Sequence, residues 1–206
     1  MRWPEKPLAP RTSAMRFLLA AFPALLAGCA SVAPPIPADR FMASLQRLCG
    51  QAFEGRIVSP AVPADAAFAG KRLVMHVREC APNGVRIPFH VGEDRSRTWV
   101  ITRTGTGLRL KHDHRHQDGT EDRVTQYGGD TADAGTAERQ TFPADAFTRA
   151  LLVRENNPAG AANVWAMEVR PGAAFAYELR RPGRFFRLEF DLTRPIAPPP
   201  PPWGSR

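Results

Sequence analysis

The sequence predicts an all-β domain: an antiparallel up-and-down β-barrel with a short N-terminal helix and one inserted helix. Three observations point there. Apolar and polar residues alternate along a succession of short stretches, the period of a strand with one buried face. Tight-turn signals join these stretches, among them Gly105-Thr106, Asp118-Gly119 and Pro182-Gly183. About nine or ten such strands in one meander need closure, because an open sheet leaves unpaired edges. A β-sandwich is the rival arrangement of the same pattern.

The first 29 residues read as a targeting segment rather than part of the fold. Arg16 precedes an apolar run from Phe17 to Leu26, too short to span a bilayer as a finished helix. The run ends in Leu26-Ala27-Gly28-Cys29. This order of hydrophobic run, small residues and cysteine resembles a bacterial lipoprotein signal peptide with its lipobox, over Met15 to Cys29. The resemblance implies that Cys29 carries the lipid and becomes the first mature residue, so the membrane is a partner through that lipid. Ala30 follows Cys29, which in that family favours outer-membrane delivery; the implied location is the cell envelope, at the outer membrane facing the periplasm. Residues 1–14 carry three prolines and make an unusual n-region, which leaves Met15 as an alternative start.

Residues 30–38, with Pro34, Pro35 and Pro37, form an extended tether. The domain is expected over 39–194 and a disordered polyproline tail over 195–206. The whole chain has 28 basic and 20 acidic residues; without the four basic residues and one acid of 1–29, 24 stand against 19. That mild excess is spread along the chain, and no aromatic–basic interleaving points to nucleic acid. With Cys29 lipidated, Cys49 and Cys80 remain, and an oxidising compartment predicts a disulfide between them. In the loop-entropy picture it is worth about 3 kcal/mol; two unpaired buried thiols are the other reading.

Asp39 to Cys49 reads as a helix with Asp39 as N-cap, Phe41, Leu45 and Leu48 on its buried face, and Gly50 as its stop. Strands are expected at Phe53–Ser59, Arg72–Glu79 and Val85–Val91, the last an edge or bulged at Pro88, which has no ladder donor. Pairing Thr104 with Gly107 sets Leu110 opposite Ile101 and His112 opposite Trp99. A two-residue Asp118-Gly119 turn then sets His116 opposite Glu121, His114 opposite Arg123, His112 opposite Thr125 and Leu110 opposite Tyr127. After a loop from Gly128 to Gly135 and a short strand Thr136–Phe142, Pro143-Ala144-Asp145 opens the inserted helix, with Phe147, Ala150 and Leu151 inward. Three closing strands carry Trp165, Met167 and Val169; Phe175, Tyr177 and Leu179; and Phe186, Leu188 and Phe190 inward. Their register places Glu178 opposite Arg187 as an exposed pair worth about 0.5–1 kcal/mol at most. In outline this is similar to lipocalin-like (calycin) barrels, without a signature motif of that group.

Two constellations carry the functional reading. His112, His114 and His116 lie at i, i+2 and i+4 of one strand, so three imidazoles share a face near the barrel mouth. With Glu121 across the hairpin they are candidate metal ligands; the bland alternative is a polar strand end. With Trp99, Tyr127, Trp165 and Tyr177, the same histidines are candidate ligand-binding residues if the barrel is open at that end. The arginines Arg180, Arg181, Arg184 and Arg187 around the last turn suit anionic headgroups or simply a solvated hairpin tip. No nucleophile elbow, zinc-protease motif or phosphate loop occurs, so no enzyme activity and no cofactor are implied. The expected function is that of a lipid-anchored envelope protein holding a small apolar or amphipathic ligand. The alternatives are a structural or assembly lipoprotein with a filled core and no ligand, and a metal-binding protein using the His cluster. Nothing in the sequence names a protein partner.

Overall fold

In the computed structural model, which describes Met1 and residues 36–205, the chain forms one antiparallel sheet of 11 strands. The signal segment, Cys29 and most of the tether lie outside the described residues. In chain order the elements are α1 (Pro37–Gln46), β1 (Ala52–Ile57), β2 (Leu73–His76), β3 (Glu79–Ala81), β4 (Gly84–Val91), β5 (Asp94–Arg103), β6 (Leu108–His114), β7 (Tyr127–Asp130) and β8 (Arg139–Pro143). Then follow α2 (Ala146–Arg154), β9 (Val164–Arg170), β10 (Ala174–Arg181) and β11 (Arg184–Ile196). Around the barrel the order is β7-β6-β5-β4-β2-β1-β11-β10-β9-β8, with β3 as an extra pairing on β4. The meander therefore closes where the first strand meets the last, and its ladder is open between β7 and β8. Among the described residues no helix is long and apolar enough to cross a membrane.

Most of the predicted registers hold. Ile101 pairs with Leu110 and Trp99 with His112. Val169 and Met167 pair with Phe175 and Tyr177, and Leu179 and Tyr177 with Phe186 and Leu188. These residues fill the interior because alternation on each strand puts every second side chain inside. Trp99 lies at the centre, stacked on Phe89 at 4.8 Å and on Tyr177 at 4.6 Å. The two cysteines form the expected disulfide, tying the residues after α1 to β3.

Several local expectations are corrected. Helix α1 starts at Pro37, inside the expected tether; its N-cap is Ile36, and Asp39 sits in the first turn, ion-paired with Arg103. The helix buries Phe41, Met42 and Leu45 and packs against β4, β8 and β9, which closes the end of the barrel marked by Arg103. The expected strand Arg72–Glu79 is two strands, β2 and β3. Pro88 of β4 lies between the residues that pair with β2 and those that pair with β3, so the ladder breaks where a backbone donor is missing. Pro195 and Ile196 belong to β11, paired with Phe53 and Ala52 of β1. Where a disordered tail was expected, the chain continues along the outside of the sheet: Trp203 donates its backbone N–H to Arg95 O at 3.1 Å, and Gly204 lies against Gly119.

The gap between β7 and β8 is bridged by the start of α2. Asp145 caps the helix, accepting from Thr148 N. Its own N–H donates to Gly128 O at 3.0 Å. The Thr148 hydroxyl donates to Gly128 O at 2.8 Å and accepts from Gly128 N at 2.7 Å. Thus α2 buries Thr148, Leu151 and Leu152, and the expected inward residues Phe147 and Ala150 are exposed. The approach needs glycine: a Cβ on Gly129 would stand 1.9 Å from Pro143 O.

On the outer face, the pair expected to be exposed is instead part of a network. Glu178 is buried and accepts from Arg139 at 2.8 Å, from Arg180 at 3.1 Å and from Arg187. Arg187 also donates to Glu168 at 2.8 Å and to Glu189. Three guanidiniums hold the Glu178 carboxyl at about 2, against the opposing effect of burial.

Candidate functional site

At the end of the barrel opposite α1, the strands and the loops above them enclose a cavity of ≈ 390 Å³. Its floor and walls come from inward positions of successive strands: Phe89 on β4, Trp99 on β5, His112 and His114 on β6, Tyr127 on β7, Trp165 on β9, Tyr177 and Leu179 on β10, and Phe186 on β11. Below Trp99 the interior is solid, with Ile101, Leu110, Phe175 and Phe190 fully buried. The barrel is therefore filled through most of its depth and open at its mouth. The cavity has the size of a small-ligand site.

The polar groups inside form a defined chain. His112 Nδ1 lies 3.1 Å from the Tyr127 carbonyl oxygen, which can only accept, so Nδ1 carries the proton. Nε2, 2.8 Å from the Tyr177 hydroxyl, is then the acceptor and the hydroxyl donates. Tyr127 in turn places its hydroxyl 3.1 Å from His114 Nε2. Burial holds His112 down at about 3 and His114 at about 4, each helped by a neighbouring positive charge. The same burial raises both phenols above their ordinary value. Near neutral pH the interior is thus uncharged, with aromatic walls and both nitrogens of His112 bonded within the protein.

Charge appears only at the rim. Arg97, Arg181 and Arg184 line the opening together with Asp122, Asn157 and Asn163. Arg184 is held by both carboxylate oxygens of Asp65. Arg97 gives Nη1 to Asp94, and Arg181 gives Nη1 to the neutral amide of Asn163 at 3.1 Å.

Six of the seven candidate ligand residues meet here: Trp99, His112, His114, Tyr127, Trp165 and Tyr177. His116 does not. The chain turns where expected, His116 N donating to Thr120 O at 2.8 Å, but the register is shifted. Arg115 rather than His116 pairs with Glu121, regular β6 ends at His114, and an irregular return with Gln126 at φ 57° sets Tyr127 opposite His112. His116 is left exposed at the loop, its Nε2 4.0 Å from Asp122 Oδ2. Glu121 bonds to Arg115 at 3.1 Å, and Arg123 to Glu155 at 2.8 Å. The proposed metal ligands His112, His114, His116 and Glu121 are therefore dispersed. Among the described residues no group of three or more His, Cys, Asp or Glu side chains is placed to hold a metal.

Sequence reasoning missed Arg97 and Phe68. Arg97 sits one inward step before Trp99 on the same strand, opposite Phe89 and His114, so its parity alone placed it inside. Phe68 comes from the long β1–β2 connection, packs its ring tilted at 5.1 Å from that of Phe186, and has no periodic signal. Of the last-turn arginines, Arg180 stacks on Phe185 and Arg187 belongs to the outer network; only Arg181 and Arg184 reach the mouth. Compared with family models, with curated proteins and with solved structures, the chain matches none.

Proposed function

We propose that this protein is a lipid-anchored cell-envelope protein whose barrel holds a small amphipathic ligand at its mouth. The observation that carries the ligand reading is the ≈ 390 Å³ cavity whose aromatic walls surround neutral, internally bonded His112 and Tyr177. A purely structural barrel gains nothing from leaving Trp165 and Tyr127 around an opening, since voids forfeit packing energy. The anchoring reading rests on the run ending in Leu26-Ala27-Gly28-Cys29. Ala30 after the cysteine supports outer-membrane placement.

Native mass spectrometry of the gently purified full chain tests the ligand reading. A bound lipid-like mass is expected in the natural protein and not in Val124→Trp, which places a large ring at the opening. A bare protein mass in both would refute it and favour the structural role. For the anchor, Cys29→Ser is expected to leave the membrane fraction; retention there would refute lipidation at Cys29.

A further inference from the structure

Resting on the reading of the mouth as a ligand site, we infer that its ligand is an amphipathic anion, with the apolar part among the aromatic walls and the anionic headgroup on Arg97 and Arg181. The cavity separates its chemistry by depth. The inner wall, from Trp99 through Tyr177 to Trp165, offers aromatic rings and the His112 imidazole, both of whose nitrogens are already bonded, so it suits a hydrocarbon or ring. The rim offers three guanidiniums and one carboxylate, Asp122.

These guanidiniums differ in how far they are engaged. Arg184 is forked onto Asp65, and both groups are nearly buried, so it is neutralised within the protein. Arg97 occupies an inward barrel position and is ion-paired with Asp94 through Nη1, while among the described residues its Nη2 and Nε make no hydrogen bond and stay open to a second anion. Its guanidinium lies 5.6 Å from the Phe68 ring, which holds it over the opening. Arg181 has a neutral partner, Asn163, so its charge is uncompensated by that bond. Asp122 stands on the His114 side and accepts from Val124 N, which gives that carboxylate a local role in the loop. A carboxylate or phosphate headgroup would complete the open forks of Arg97 and Arg181 with charge-assisted bonds, partly shielded from water. A cationic headgroup would meet both. A neutral alcohol would leave the forks as they are and gain only the apolar contacts.

The test compares three probes of equal chain length, decanoate, decanol and decyltrimethylammonium, read by the change in tryptophan fluorescence, to which Trp99 and Trp165 contribute from the cavity wall. The full chain with Cys29→Ser is used, so that no acyl group of its own competes. Decanoate is expected to bind about tenfold more tightly than decanol, the scale of one good bond to a charged group. Its affinity should fall between about 0.02 and 0.5 M salt while that of decanol holds. Arg97→Gln with Arg181→Gln should remove the preference and the salt dependence while decanol still binds, which also reports that the mouth remains folded. Equal binding of decanoate and decanol, or tighter binding of the ammonium probe, overturns this inference and leaves the ligand site standing. Binding of none of the three overturns the site itself.

Discussion

Replacing Thr148 by Val should loosen the barrel at its seam. The two side chains have nearly the same shape, so packing is preserved while the hydroxyl is lost. In the native protein that hydroxyl accepts from Gly128 N at 2.7 Å and donates to Gly128 O at 2.8 Å, and Thr148 is fully buried. Gly128 O keeps its second donor, Asp145 N at 3.0 Å, so the carbonyl is still served. Gly128 N has no such reserve and becomes a buried donor without a partner, which costs about 1–3 kcal/mol. For a domain of this size, at about 2–4 °C per kcal/mol, that is a fall in Tm of roughly 2–12 °C. Thr148→Ser keeps the hydroxyl and loses one methyl, about 1 kcal/mol, and should melt between the two. Thermal unfolding by circular dichroism gives the order, and hydrogen exchange should show Gly128 and Gly129 amides opening first in the Val variant. If Thr148→Val melts with the natural protein, or Thr148→Ser is the worse of the pair, the seam is not held by this hydroxyl. Gly129→Ala attacks the same closure by steric means and should be more damaging still, because the obstacle at 1.9 Å is backbone.

Acidification should destabilise the protein well above the carboxylate range. His112 and His114 are held at about 3 and about 4 when folded, and titrate near 6.5 when unfolded. Between pH 6.5 and 4 the unfolded chain therefore binds more protons, and stability falls with falling pH by up to about 2–3 kcal/mol per unit for the two together. Urea titrations at a series of pH values measure this, and a flat profile from 6.5 to 4 would contradict the buried neutral assignment. Glu178 adds a second loss at lower pH: its carboxyl is depressed to about 2, so its contribution is complete above about 4.5 and disappears as pH drops through 2. Glu178→Gln leaves Arg139 and Arg187 short of one buried charge and should cost about 3 kcal/mol in denaturant unfolding; an unchanged midpoint would show that Glu168 and Glu189 suffice. Removing the Cys49–Cys80 bond by double serine substitution should cost about 3 kcal/mol, and a change within error would mean the disulfide closes no entropically costly loop.

The strand faces were legible in the sequence, and so were three of the strand pairings, β5–β6, β9–β10 and β10–β11. From Trp99 to Leu110 and from Trp165 to Phe190, alternation and short turns leave one register that buries the apolar set, since a one-residue slip would turn every side chain over. It also assembled six of the seven candidate ligand residues, because inward positions on neighbouring strands must meet. Where the regular strands stop is set by long-range contacts. Beyond the tight turn at His116–Thr120 the expected register is lost, and with it the metal geometry, because Thr125, Gln126 and Tyr127 bond to β6 in a bulged path that no local propensity announces. Tertiary structure alone also placed Thr148 on Gly128, Phe68 over the mouth and Trp203 on Arg95. Each of those contacts joins segments far apart in the chain, where neither period nor turn chemistry carries information. The same holds for the charges. Glu178 and Arg187 were correctly paired across one turn, yet their burial depends on Arg139 and Glu168 from two other strands, and the neutrality of His112 depends on the depth at which Tyr177 meets it.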